Sequence, residues 1–188
     1  MNRIQKVSAF FSIVFQFLLY YLPLHTVFKW IFINADFMGS MFAWIIFVPA
    51  FNGPEGEVFF RDVEWTPLTK FIGLSADLLA LLPIIISLFA LIRIFKHYQQ
   101  GEIFNNSNAR YYRLMGWMFI FDGLIAKSFS QSLMTLAVTL NNSSGHRYIT
   151  FGIHSANFEA LFCGAVIIVI SWVMLEASKL HDEQKFTV

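Results

Sequence analysis

The chain has 188 residues, of which 57% are hydrophobic, 18% aromatic and only 13% charged. A water-soluble domain carries about 25% charged residues. Too few polar side chains exist here to cover a water-facing surface, so the lipid bilayer is the natural neighbour. The net charge of +1 supplies no bulk field for nucleic acid, and direct nucleic-acid binding is not expected. One cysteine, Cys163, cannot form an internal disulfide.

The first predicted element is a membrane span over about residues 7–33. Arg3, Lys6 and the apolar run behind them resemble the start of a signal peptide. The run is too long for an h-region and lacks a small-x-small cleavage site, so it reads as a retained span. Pro23 is expected to kink it.

A long first outer loop is expected over residues 34–66. Within it, residues 41–51 (MFAWIIFVPAF) are too few to span and too apolar for water, which points to an interfacial or re-entrant piece. The acidic stretch that follows ends at Trp65, an aromatic suited to the membrane surface.

The second span is predicted over residues 67–97, with Thr66 as N-cap and Pro67 as first helical residue. Its helix is able to run to Gln100, with Gly101 in the C-terminal cap. Such a helix is roughly 50 Å long against a hydrocarbon core of about 30 Å. Arg93, Lys96, His97 and Gln99 are the part expected to stand in water. The third span, 109–140, opens after a cluster of capping residues, Asn105–Asn108. The fourth covers 156–179 and is followed by a short polar tail.

Lys and Arg near the span ends orient the chain. With the N-terminus inside, Arg3, Lys6, Arg93, Lys96, Arg110, Arg113, Lys179 and Lys185 are cytoplasmic, against Arg61, Lys70 and Arg147 outside. The expected fold is therefore all-α: one integral membrane domain over 1–188, a four-transmembrane-helix bundle with both termini in the cytoplasm.

An ionisable residue inside a span costs about 2.5–3.5 kcal/mol at the helix centre and needs a partner or a wet pocket. Asp77, Lys127, Glu159, His25 and Lys29 are placed in the outer half, and Asp122 nearer the middle. Lys127, Gln131 and Thr135 recur at four-residue spacing, so they form one polar stripe, expected to face the bundle interior. Lys127 is expected to meet Asp77 or Glu159. Two readings stay open. The charges hold the helices in register, or they line a hydrated cavity that binds an ion, a proton or a small solute. The small-xxx-small pairs Ala76/Ala80 and Ala160/Gly164 suit close helix packing. His146, His154 and Glu159 lack zinc-site spacing, so no metal is expected. No catalytic motif or cofactor-binding loop is present, so an enzyme is not expected.

The loop between spans two and three carries basic helix ends and aromatics. Its candidate docking residues are Arg93, Lys96, Phe104, Arg110, Tyr112 and Arg113. The stretch IFKHYQQGEIFNNSNARYYRLMGW places Phe95, Gly101, Phe104, Asn108, Leu114 and Gly116 in the pattern of a bacterial family. The C-terminus adds Leu180, Asp182, Glu183, Thr187 and Val188. In these residues the chain resembles a family of uncharacterised four-helix integral membrane proteins, a domain of unknown function. The resemblance implies a bacterial inner membrane location and no reaction. Members are often encoded beside a small Cro/CI-like helix-turn-helix regulator, which makes such a regulator the implied cytoplasmic partner. The expected function is thus a non-enzymatic sensory or regulatory membrane protein. The alternative is a transporter or channel-like protein, with a homo-oligomer as one of its forms, using the polar outer cavity.

Overall fold

The computed structural model describes residues 3–33, 50–53, 56–59, 63–142, 146–151 and 155–186. In chain order these form α1 (Arg3–Phe32), β1 (Ala50–Gly53), β2 (Gly56–Phe59), α2 (Pro67–Gln99), α3 (Asn106–Phe121), a π-turn (Asp122–Ala126), α4 (Lys127–Thr139) and α5 (Ser155–Phe186). Among the described residues three helices are long and apolar enough to cross a membrane: Arg3–Phe32, Pro67–Gln99 and Asn157–Leu180. The third expected span does not join them. Its helix is interrupted by the π-turn and carries Asp122, Lys127 and a run of hydroxyls.

The helix ends follow local chemistry. Thr66 Oγ1 accepts from the Thr69 N–H at 3.3 Å, Thr69 Oγ1 accepts from the Thr66 N–H at 2.9 Å, and Pro67 opens α2. At the other end Gly101 adopts φ 84°, a left-handed conformation that suits glycine. The Gly101 N–H donates to the Tyr98 carbonyl at 3.2 Å and the Glu102 N–H to the His97 carbonyl at 3.0 Å, a Schellman closure.

Two boundaries and one added element differ from the sequence expectation. α3 starts at Asn106, ahead of 109, because Asn105 is the cap: its Oδ1 accepts from the Ser107 N–H at 2.9 Å. α5 runs through the expected polar tail to Phe186. The all-α expectation also gains a small antiparallel hairpin inside the first loop, pairing Ala50 with Phe59 and Gly53 with Gly56. The GPEG stretch, Gly53–Gly56, was its sequence signal. Of the apolar run 41–51, residues 41–49 lie outside the described residues.

The chain divides into two compact units. One comprises Met1–Tyr21, Leu82–Ile125 and His154–Val188. Its core is Ala90, Ile94 and Met115, with Phe95, Tyr98 and Tyr112 packed on it. Phe11 and Phe15 of α1 set their rings 5.7 and 5.3 Å from Phe95. α3 and α5 approach at glycines: a Cβ on Gly116 would lie 2.9 Å from the Gly164 carbonyl oxygen, and one on Gly164 would lie 2.8 Å from that of Gly116. The Ala160/Gly164 pair is therefore used within the chain, for helix packing.

The other unit comprises Leu22–Leu81 and Ala126–Ile153. Trp30, Ile33, Trp65, Ala76, Met134, Ala137 and Val138 form its core. The segment 146–151 is fastened to α4 by hydroxyls spaced along one face. Ser132 Oγ donates to the Thr150 carbonyl at 2.7 Å, Thr135 Oγ1 bonds Thr150 Oγ1 at 2.8 Å, and Thr139 Oγ1 donates to the Tyr148 carbonyl at 3.1 Å. Phe10, Phe17 and Tyr20 of α1 and Phe158, Phe162 and Trp172 of α5 remain exposed, as lipid-facing side chains would.

Candidate functional site

Two polar sites stand out, one in each unit. The first is a charge pair inside an apolar helix. Asp77 lies on α2 between Ala76, fully buried, and exposed Leu78. Lys29 Nζ donates to Asp77 Oδ2 at 2.5 Å, and Trp30 Nε1 donates to the same oxygen at 2.7 Å. Lys29 is buried, at 8% exposure, so the pair is largely removed from its surroundings. Two adjacent residues of α1 thus close on one carboxylate. Trp30 also sits 5.0 Å from Trp65, edge to face, and Lys29 Nζ lies 5.2 Å from the Trp30 ring. Gly73 makes this possible, because a methyl group there would overlap the Trp30 ring.

Sequence reasoning placed Lys29 and Asp77 among the intramembrane polar residues but expected Asp77 or Glu159 to meet Lys127. The structure assigns Lys29 and Trp30 to Asp77. Lys127 is half-buried at the start of α4, Gln131 half-buried one turn on, and His25 half-buried one turn before Lys29. Glu159 is exposed on α5. Thr135 of the predicted stripe is fully buried, and Thr150 is its partner. The role of Trp30 and Gly73 was not foreseen, although Trp30 directly follows Lys29 in sequence.

Asp122 is half-buried and opens the π-turn. A π-turn withdraws carbonyls from the i→i−4 ladder. Asn157 Nδ2 donates to the Gly123 carbonyl at 2.6 Å, and Asn157 is 2% exposed. A Cβ on Gly123 would lie 2.8 Å from the Asn157 carbonyl oxygen, so the close approach needs glycine. No sequence pattern pointed to this pairing.

The second site is the turn between α2 and α3. Asn108 is fully buried there. Its Nδ2 donates to the carbonyls of Glu102 at 2.9 Å and Ile103 at 3.0 Å, while its Oδ1 stands 2.7 Å from His97 Nδ1. With both amide hydrogens given to carbonyls, Oδ1 is the acceptor and His97 Nδ1 carries the proton. Asn105 Nδ2 donates to Glu102 Oε2 at 2.8 Å. Asn108, Asn105 and His97 thus tie the two helix ends and the turn together. Arg93, Lys96, Arg110 and Arg113 are exposed around it, and Phe104 is 46% exposed. Tyr112 is half-buried, and its hydroxyl bonds the Tyr98 hydroxyl at 3.0 Å, so it supports the turn from beneath. A polar cavity of about 430 Å³ lies alongside, lined by Glu102, Phe104, Asn105, Asn106, Ser178 and Asp182 among others.

Among the described residues no group of three or more His, Cys, Asp or Glu is placed to hold a metal ion. His146 is exposed, and His154 lies outside the described residues.

The model of a family described as "Protein of unknown function (DUF2975)" matches residues 30–188. No curated protein and no solved structure matches the sequence.

Proposed function

We propose that this chain, which belongs to the DUF2975 family of proteins of unknown function, is a non-enzymatic multi-pass protein of the bacterial inner membrane that docks a cytoplasmic regulatory protein. Three helices long and apolar enough to cross a membrane support the bilayer placement. The helix over 106–139 is the fourth crossing in this reading, which returns both termini to the cytoplasm. The Lys and Arg bias then puts the Asn108 turn on the cytoplasmic side.

One observation carries the reading: the turn over 97–108 is tied together by the fully buried Asn108, yet presents Phe104 and the flanking arginines outward. A simple connector in water needs no such order. A preordered surface binds with less entropic cost, and Arg and aromatic residues are favoured anchors. The Cro/CI-like helix-turn-helix regulator that the family resemblance implies is the proposed partner.

A photo-crosslinking residue at Phe104 tests this in cells. Crosslinks to the helix-turn-helix protein, weakened in Asn108→Ala, are expected. Crosslinks confined to lipid or to other membrane proteins would reject the docking role.

In the transport reading, Asp77 serves as an ion or solute ligand. Its Oδ2 already accepts from Lys29 and Trp30, as in a structural fastening. Proteoliposome flux abolished by Lys127→Ala would restore transport as the better reading.

A further inference from the structure

The polar cavity of about 430 Å³ beside the Asn108 turn lies wholly within one unit, the one that holds Leu82–Ile125 and His154–Val188. The turn between α2 and α3 lines it with residues 100–106, and α5 lines it with Ser178 and Asp182. Those two stand four residues apart, on one face of their helix. They reach the cavity because α5 continues through the polar end of the chain to Phe186.

Ser178 points to a ligand. The residue is 3% exposed, and its hydroxyl has no hydrogen-bond partner among the described residues. An enclosed hydroxyl without a partner is costly, and the described residues contain no fully enclosed side-chain polar atom in that state. Ser178 Oγ avoids it because what remains open of this side chain faces the cavity. The charge of the lining then selects the occupant. Glu102 and Asp182 bring two negative charges, and no basic residue lines the cavity. The N-terminus of α3, at Asn106, adds about half a positive charge, and the Ser107 N–H there is already given to Asn105 Oδ1. Two carboxylates outweigh it, so the cavity favours a cation. Asn105 Nδ2 holds Glu102 Oε2 at 2.8 Å, which uses one of about four acceptor sites on that carboxylate. Among the described residues no group is set to hold a metal ion, so an organic cation rich in donors suits the lining. Guanidinium has N–H donors and no acceptor, and its plane stacks on aromatic rings. Phe104, 46% exposed, lines the cavity.

We propose that this cavity receives the guanidinium group of an arginine side chain from the docked cytoplasmic protein, held by Glu102 and Asp182 with Phe104 and Ser178 beside it. The inference rests on the docking reading for the source of the arginine, since Phe104 belongs both to the cavity and to the proposed docking surface. Binding of the guanidinium itself needs no partner and is measured on the purified chain.

The test uses Ser178→Cys in a Cys163→Ser background, in lipid nanodiscs. The introduced thiol is labelled with methyl methanethiosulfonate in the presence of butylguanidinium or of its neutral counterpart, butylurea. Butylguanidinium is expected to slow labelling and butylurea to leave it unchanged. The concentration giving half protection is expected to rise about fivefold in Asp182→Asn and in Glu102→Gln, as for one exposed charge pair. Saturation-transfer NMR with the same two compounds on the native chain takes over if Ser178→Cys does not fold. Equal effects of both compounds, none from either, or half protection unmoved in both variants overturns the site. In cells, Phe104 crosslinks to the docked protein are expected to weaken in Asp182→Asn. Crosslinks of unchanged strength in that variant overturn the docked arginine as the occupant. Crosslinks absent from the native chain reject the docking reading, and with it the arginine source, whatever the guanidinium measurement shows.

Discussion

Lys29 reaches Asp77 across 48 positions of sequence, and Trp30 reaches the same oxygen from the next position. Breaking such a pair leaves one charge without its answer inside an apolar span, which costs more than the pair itself contributes. Lys29→Met is expected to destabilise the protein by about 3 kcal/mol, read as a lowered unfolding midpoint in detergent. The double substitution Lys29→Met with Asp77→Leu should recover most of that loss, because no charge is then left alone. Asn108 is a neutral counterpart. Replacing it by alanine strands the Glu102 and Ile103 carbonyls and His97, at a cost of about 2 kcal/mol. Thermal unfolding should show that loss, and hydrogen exchange should quicken over residues 97–108. A variant as stable as the native chain would mean the turn draws no order from its asparagine.

At the scale of elements, glycine decides how closely helices approach. A Cβ on Gly116 would meet Ile168 Cγ1 at 2.5 Å and the Gly164 carbonyl oxygen at 2.9 Å. Gly116→Ala is therefore expected to push α3 and α5 apart and cost about 1–3 kcal/mol, measured by equilibrium unfolding. Gly101 acts through its backbone. At φ 84° a side chain is disfavoured by about 1 kcal/mol, so Gly101→Ala should loosen the Schellman closure of α2 by that amount. Both glycines stood out in the sequence, Gly101 as a cap and Gly116 within the resemblance motif. The cap was readable because it depends on adjacent residues. The contact between Gly116 and Gly164 was not, because it depends on which helix lies opposite.

At the scale of the molecule, the family match begins at Trp30, the residue that shares the Asp77 oxygen with Lys29. It therefore takes in Trp30 and Asp77, the π-turn and the Asn108 turn, and leaves out Lys29 with most of α1. The proposed topology, four crossings with both termini inside, makes a direct prediction. A phosphatase fused after Val188 should be inactive and a cytoplasmic fluorescent reporter bright; the reverse pattern would mean that the orientation is wrong. A third fusion within the loop between α2 and α3 should behave as the C-terminal one does.

The sequence by itself determined what local chemistry controls. Apolar length set the three long helices, Thr66–Pro67 the start of α2, and Gly101 its end. It also marked Lys29, Asp77, Asp122 and Lys127 as costly in lipid, since desolvation depends on residue type and depth. Tertiary structure alone decided which groups answer one another: Lys29 and Trp30 for Asp77, Thr150 for Thr135, Asn157 for Gly123. Those choices turn on helix rotation and on a register-shifting π-turn, and neither is written in the spacing of residues along one chain segment.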